Sequence, residues 1–312
     1  MIKKILKSAL HKPADALLAS SKTLQARIDA RSNHAILGHP GLTAKFYPYH
    51  PDSASYLIPK VSLDDRGSGS DLPIPPHRLW VHRYLDPVSD QYLATGKKWI
   101  DTMMGILDAS GGPPVPLNRV LDFGCADGMM LRHINVPANG EAWGTDLNGE
   151  LMIWCQQHLS PPYKFATTTS FPHLPFADDY FDFIYAFSVF THICDLAEAW
   201  LLELKRIVRP GGILYLTVSD RHTIEVLFDK YPESELARQL ESVEKDIEFR
   251  TSDFAFFTVN RVPGGGLEGD TGPAQVFYDT DYLAKHWSNY LEVVSINPDA
   301  YGYQTAIVLK KT

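Results

Sequence analysis

The sequence predicts an α/β fold, a parallel sheet with helices on both faces, centred on residues 118–218. Short apolar stretches alternate there with stretches of helical period. Residues 181–187 are nearly all apolar, as a strand covered on both faces should be. A turn bearing two glycines follows the first strand directly, at the place where such sheets bind ligands.

Each element follows from its own residues. Residues 119–123 form the first strand, 124–128 the turn, and 129–134 the start of a helix. Residues 142–146 form the second strand, and the next helix turns Leu151, Trp154, Cys155 and His158 to one face. Residues 163–166 and 181–187 supply the third and fourth strands. Leu196, Trp200, Leu204, Ile207 and Val208 recur at helical spacing until Arg209-Pro210-Gly211-Gly212 ends that helix. A fifth strand, 213–218, follows.

The flanks are less regular. The pattern predicts a helix over 224–249, a strand over 254–262, a flexible loop at Pro263-Gly264-Gly265-Gly266 and a helix over 282–290. Residues 291–296 and 305–309 then read as an antiparallel closing pair. Upstream, helical character runs through 78–107, whereas 32–76 is rich in turn formers and reads as an irregular layer over the main domain.

Composition limits the function classes. The 312 residues are 45% hydrophobic and 21% charged, ordinary globular usage. No run approaches the roughly 20 apolar residues of a membrane-spanning helix. The 37 acidic residues outnumber the 29 basic ones for a net charge of −8, the opposite of the balance a nucleic-acid partner favours. Cys125, Cys155 and Cys194 form no CxxC pair, which fits a reducing compartment, and a cytoplasmic location is expected. Residues 1–31 carry seven basic residues against Asp15 and Asp29, with Ile2, Ile5, Leu6, Ala9 and Leu10 at helical spacing. A surface helix packed on the main domain is the expectation there, and peripheral membrane contact or targeting is the alternative.

Two acids stand where a nucleoside would need them. Asp122 lies in the first strand just before the glycine turn, and Asp146 ends the second strand 24 residues later. A carboxylate at that second position can accept from both vicinal ribose hydroxyls. A dinucleotide fingerprint would read G-x-G-x-x-G, but Gly124-Cys125-Ala126-Asp127-Gly128-Met129 has Ala at its second glycine and Met at its third. Asp127 would also repel a pyrophosphate. An NAD-binding oxidoreductase is therefore the weaker alternative.

Several segments in register resemble the class I S-adenosylmethionine-dependent methyltransferases of the small-molecule type. They are Val120-Leu121-Asp122-Phe123-Gly124-Cys125-Ala126-Asp127-Gly128, Gly144-Thr145-Asp146 and Leu174-Pro175-Phe176-Ala177-Asp178-Asp179-Tyr180-Phe181-Asp182. Ser188-Val189-Phe190-Thr191-His192 and the run from Glu203 to Gly212 continue the likeness, which covers about a third of the chain. The resemblance implies a Rossmann-like seven-stranded sheet, mostly parallel, with a closing antiparallel strand. It places a methyltransferase domain at 111–312 with a substrate lid at about 224–280, behind an N-terminal extension at 1–110 that covers the active site.

The cofactor so implied is S-adenosylmethionine. Asp122, Phe123, Gly124 and Cys125 would cradle its methionine half, Gly128 would complete the turn, and Asp146 would hold the ribose. Leu147 would lie against the adenine, and Phe187 and Ser188 would floor the site. Two positions depart from the family pattern: Ala126 replaces the middle glycine, and Thr167-Thr168-Thr169-Ser170-Phe171 lacks the usual acid after the third strand. Ser160-Pro161-Pro162-Tyr163 matches a short amino-methyltransferase motif, but it precedes the third strand instead of following the fourth and reads as a turn.

The acceptor is expected to be a small molecule or a glycan, methylated on a hydroxyl. Such an acceptor must lose a proton, and histidine suits that role near neutral pH. His192 after the fourth strand is the first candidate base and His222 after the fifth is the second. His77, His82 and Tyr278 are further acceptor-pocket candidates. No metal-ligand spacing occurs, and Asp178-Asp179 reads as a solvated turn. The remaining alternative is a non-catalytic methyltransferase-like binding subunit.

Overall fold

Five parallel strands form the middle of the sheet, and their shared direction sends every carboxyl end to one rim. The computed structural model describes residues 72–82, 85–86, 90–112, 117–135, 137–193, 196–244 and 275–312, together with the strand backbones at 43–46, 57–60 and 256–259. The expected helix within 1–31, Cys194 and the glycine-rich loop at 263–266 lie outside the described residues.

The strands are β1 (Thr43–Phe46), β2 (Leu57–Lys60), β3 (Arg119–Phe123), β4 (Glu141–Asp146), β5 (Lys164–Thr167) and β6 (Phe181–Ala186). They continue with β7 (Val208–Asp220), β8 (Phe256–Val259), β9 (Gln275–Tyr278), β10 (Glu292–Tyr301) and β11 (Gln304–Lys310). The helices are α1 (Gln91–Ala109), α2 (Gly149–His158), α3 (Ala197–Ile207), α4 (Arg221–Lys230), α5 (Glu235–Glu244) and α6 (Thr280–Trp287). The central order is β5-β4-β3-β6-β7-β11-β10. The first five of these strands pair in parallel, and β11 runs antiparallel to both β7 and β10. This is the expected seven-stranded, mostly parallel sheet with one antiparallel closing strand.

Period-two alternation divides the core. Val120, Phe183 and Tyr215 point to the face covered by Ile100, Met103 and Leu107 of α1 and by Leu151, Met152 and Cys155 of α2. Leu121, Ile184 and Leu214 point to the other face, under Trp200, Leu201 and Leu204 of α3 and Leu283 and Trp287 of α6. All six residues of β6 are buried, as its composition predicts.

Several local expectations are corrected. Residues 129–134 form tight turns with one 3-10 turn at Leu131–His133, not a helix. The stretch is bounded by the left-handed Gly128 and by Pro137, and so short a run gains little to offset the cost of helix nucleation. The expected helix over 78–107 begins only at Gln91, with a 3-10 turn at His77–Leu79 before it. The single helix expected over 224–249 is two, broken around Pro232, and Asp220 caps the first through the Thr223 N–H at 3.1 Å. Of the strand expected over 254–262, the described residues are Phe256–Val259, and these form a strand.

Some strands were not foreseen. β2 pairs antiparallel with β5, and β1 with β2, so the segment read as irregular extends the sheet. β9 pairs parallel with the carboxyl end of β7 and antiparallel with β8. Four-residue strands such as these present too few residues for alternation to show.

Candidate active site

The site lies where β3, β4 and β6 end. The β3 turn is shaped by backbone geometry: Gly124 (φ +81°) and Gly128 (φ +79°) occupy the left-handed region. A Cβ on Gly124 would come within 2.3 Å of Val189 Cγ2, so this turn packs directly on the loop after β6. A Cβ on Gly128 would meet Leu159 Cδ1 at 2.6 Å. Ala126 is also left-handed (φ +49°), so the position carries the methyl at some strain. The Gly124 and Cys125 N–H groups donate to the Thr145 carbonyl at 2.7 and 3.0 Å, which ties the turn to β4.

Asp146 ends β4 partly buried. Its Oδ2 accepts from the Ala126 N–H at 3.0 Å and its Oδ1 from the Asn148 N–H at 2.8 Å. Burial raises its carboxyl above the ordinary range, and hydrogen bonds from the Asn148, Ala126 and Leu147 backbones oppose that. A carboxylate offers roughly four acceptor positions, so each oxygen keeps one for a ligand hydroxyl. Leu147 beside it is 46% exposed, an apolar face bordering the same rim. Asn148 accepts from the Glu150 and Leu151 N–H groups at 3.0 and 3.2 Å and so starts α2 beside the carboxylate.

Asp122 lies deeper. It is buried, and the Tyr185 hydroxyl donates to its Oδ2 at 2.9 Å. Burial pushes its carboxyl well up, the Tyr185 bond lowers it, and the nearby Asp146 and Asp127 raise it further. Its side chain braces β3 against β6. Phe123 is buried on the opposite face, 4.8 Å from the Trp200 ring. Cys125 is buried, and desolvation holds its thiol well above the usual range, so it stays protonated.

The β6 end forms the other wall. The Phe187 ring packs 4.9 Å from Tyr301, 5.5 Å from Tyr185 and 5.7 Å from Tyr215. Ser188 is left-handed (φ +57°), and its N–H donates to Thr217 Oγ1 at 2.7 Å. Thr217 donates to Gln304 Oε1 and Gln304 Nε2 donates to Ser188 Oγ, both at 2.8 Å. This closed network fixes the loop after β6. It joins residues 87 and 116 positions apart, and no local sequence signal marks it.

The structure thus gathers Asp122, Phe123, Gly124, Cys125, Gly128, Asp146, Leu147, Phe187 and Ser188 around one group of strand ends. His192 is exposed at the end of the 3-10 turn Phe190–His192 that leaves this group. His222 sits apart, in the first turn of α4, with Nε2 2.8 Å from Asp299 Oδ1. Of the further candidates, His77 is exposed and edge-on to Trp80 at 5.0 Å. His82 Nε2 lies 2.8 Å from the Tyr301 hydroxyl, which places it near the Phe187 wall. Tyr278 is buried, and its hydroxyl donates to the Phe190 and Ile193 carbonyls at 3.1 and 3.0 Å, holding that turn in place.

A second set of contacts went unforeseen. Residues 72–82 lie over the β3 turn: Arg132 Nη2 donates to the Leu72 and Pro73 carbonyls, Arg78 pairs with Glu150, and the Val81 N–H bonds to Asp127. Ser160-Pro161-Pro162-Tyr163 is the turn between α2 and β5, as expected. Among the described residues, no group of three or more His, Cys, Asp or Glu side chains is placed to hold a metal ion. No described helix is long and apolar enough to cross a membrane.

An acid ending the second parallel strand beside a left-handed glycine turn is the arrangement with which open α/β sheets bind nucleosides. Residues 121–216 match the family model of the methyltransferase domain. Over this stretch the chain is similar to the class I S-adenosylmethionine-dependent methyltransferases.

Two curated relatives each match about a third of the chain. A sterol 24-C-methyltransferase of Gibberella zeae is 33% identical over 103 residues, 31% of this chain and 27% of that protein. A malonyl-[acyl-carrier protein] O-methyltransferase of Pectobacterium atrosepticum is 32% identical over 104 residues, 33% of this chain and 39% of that protein. The chain thus spans well under half the length of these relatives. Among solved structures, magnesium protoporphyrin IX methyltransferase of Synechocystis, with bound SAH, is 16% identical over 73% of this chain and 91% of its own, at a TM-score of 0.45.

Proposed function

We propose that the protein transfers a methyl group from S-adenosylmethionine to a hydroxyl oxygen of a small-molecule or glycan acceptor. The observation that carries the donor assignment is Asp146. Its Oδ2 accepts from the Ala126 N–H and its Oδ1 from the Asn148 N–H, which orients the carboxylate at the strand end to accept from a ribose hydroxyl. The residues present fit the donor. Asp146 would hold the ribose, Leu147 the adenine, and the β3 turn, with its glycines at Gly124 and Gly128, the chain beyond it.

S-adenosylmethionine, when bound, supplies a methyl already activated on a sulfonium. The protein's own part is then to align an acceptor, exclude water and hold a proton. Phe187 and the Ser188–Thr217–Gln304 network form a fixed wall at the β6 end, against which an acceptor can be aligned. His192, on the turn leaving that wall, is the proposed base for the acceptor hydroxyl, and His222 is the second candidate.

The test is calorimetric titration with S-adenosylhomocysteine. Asp146→Ala should weaken binding by about 1.5–3 kcal/mol, because two hydroxyls lose a charged acceptor. NAD should show no saturable binding. Unchanged affinity in the variant would defeat the donor assignment, and intact binding without turnover of any acceptor would favour the non-catalytic subunit.

A further inference from the structure

Residues 72–82 form a strap tied to two walls of the candidate site. On the side of the β3 turn, the Val81 N–H bonds to the Asp127 carboxyl. Arg132 Nη2 donates there to the Leu72 carbonyl at 3.1 Å and to the Pro73 carbonyl at 2.6 Å. On the other side, Arg78 pairs with Glu150 in the first turn of α2. The Glu150 N–H donates to Asn148 Oδ1 at 3.0 Å, and the Asn148 N–H donates to Asp146 Oδ1 at 2.8 Å. The strap thus joins the glycine turn to the start of the helix beside the ribose carboxylate.

The body of the strap is rigid. Pro73, Pro75 and Pro76 fix three of its φ angles. Trp80 is 4% exposed and lies 4.7 Å from the Tyr92 ring, and its Nε1 donates to the Pro75 carbonyl at 2.7 Å. That bond closes residues 75–80 on themselves. The Arg78–Glu150 contact differs in kind, since its side chains are 67% and 56% exposed. Exposed side chains change rotamer rapidly, and an ion pair in water favours its closed form by at most about fivefold.

We propose that the Arg78–Glu150 pair is a side-chain latch across the donor site, parting to admit S-adenosylmethionine and closing again over the bound nucleoside. The inference rests on the donor assignment above and adds a route of entry to it. A latch that closes equally over the empty and the occupied site leaves affinity unchanged. It slows entry and exit alike, in proportion to the time it spends closed.

Surface plasmon resonance with S-adenosylhomocysteine as the probe tests it. Arg78→Ala and Glu150→Gln should each raise the association and dissociation rates about two- to fivefold and leave Kd within about twofold. Exchanging the two charges, Arg78→Glu with Glu150→Arg, should restore the slower rates. Raising salt from about 0.05 to about 1 M screens an exposed pair, so it should speed both rates in the wild type but not in Glu150→Gln. The salt arm uses the unaltered chain and does not depend on a variant folding. Rates that neither salt nor substitution moves overturn the latch. So does a change in one rate alone with a matching change in Kd, which would mark steering or direct contact with the donor. A wild-type protein that binds no S-adenosylhomocysteine overturns the donor assignment, and the latch with it.

Discussion

Replacing Gly124 by alanine perturbs the β3 turn in two separable ways. The backbone there has φ +81°, and forcing an L-residue into the left-handed region costs roughly 1–2 kcal/mol. The new Cβ would also lie 2.3 Å from Val189 Cγ2, and overpacking of that kind costs typically about 1–3 kcal/mol. Gly124→Ala should therefore destabilise the protein by about 2–5 kcal/mol in urea unfolding. Val189→Ala alone should cost about 1 kcal/mol, since it removes two methyls from a partly buried site. The double variant removes the collision but keeps the backbone strain. It should recover about 1–3 kcal/mol relative to the sum of the singles, measured as a coupling energy in a double-mutant cycle. S-adenosylhomocysteine affinity should follow the same order, because the turn carries the Ala126 N–H that holds Asp146. Strictly additive single effects would refute the picture of the donor turn packed directly on the β6 loop.

Three further outcomes follow from the same geometry. Burial raises the Asp127 carboxyl to about 6, so its stabilising contribution is complete below the unfolded value near 4 and is lost as pH rises through about 6. Asp127→Asn should therefore match the wild type near pH 4 and exceed it by about 3 kcal/mol above pH 7, read from unfolding curves across that range. Tyr185→Phe leaves Asp122 buried without its 2.9 Å donor and should cost about 1–3 kcal/mol, a loss that Asp122→Asn in the same chain should reduce. If a base is needed, His192→Ala should keep S-adenosylhomocysteine affinity within a few-fold and lower methyl transfer by roughly 10²–10⁴-fold, with His222→Ala as the second candidate. Near-normal turnover in both would leave alignment alone to account for the rate, and a lower melting temperature in His192→Ala would assign that residue to architecture.

The parts of the fold that were legible share a physical cause. The β3, β4, β6 and β7 strands are buried on both faces or alternate over several residues, so hydrophobicity reports them directly. Helix α3 shows the same dependence on a long buried stripe. What was missed is governed by terms that hydrophobic periodicity does not carry. The 129–134 segment has helix-forming Met, Leu and Arg, yet it folds as turns between the left-handed Gly128 and Pro137. β9 exists because the carboxyl end of β7 offers Ser219 and Asp220 as ladder partners, a tertiary fact. The helix break at Pro232 was legible in principle, since proline removes a donor and constrains its predecessor.

The site divides along the same line. The donor side is written locally: a five-residue turn and an acid ending the next strand identify it because the nucleoside's hydroxyls demand a carboxylate at one end of a strand. Nothing comparable exists for the acceptor side. Its proposed walls are Phe187, Tyr301 and the Ser188–Thr217–Gln304 network, drawn from three separated stretches of chain and assembled only when β11 docks on β7. Tyr278 shows the hazard of reading such residues singly, since an aromatic that looked available for a substrate is occupied with two backbone carbonyls of the β6 loop. Asp127 shows the converse. Its charge, which counted only against a pyrophosphate in the sequence, is in the fold a buried carboxyl that ties the β3 turn to the Met129 and Val81 N–H groups, a structural part no local pattern announces.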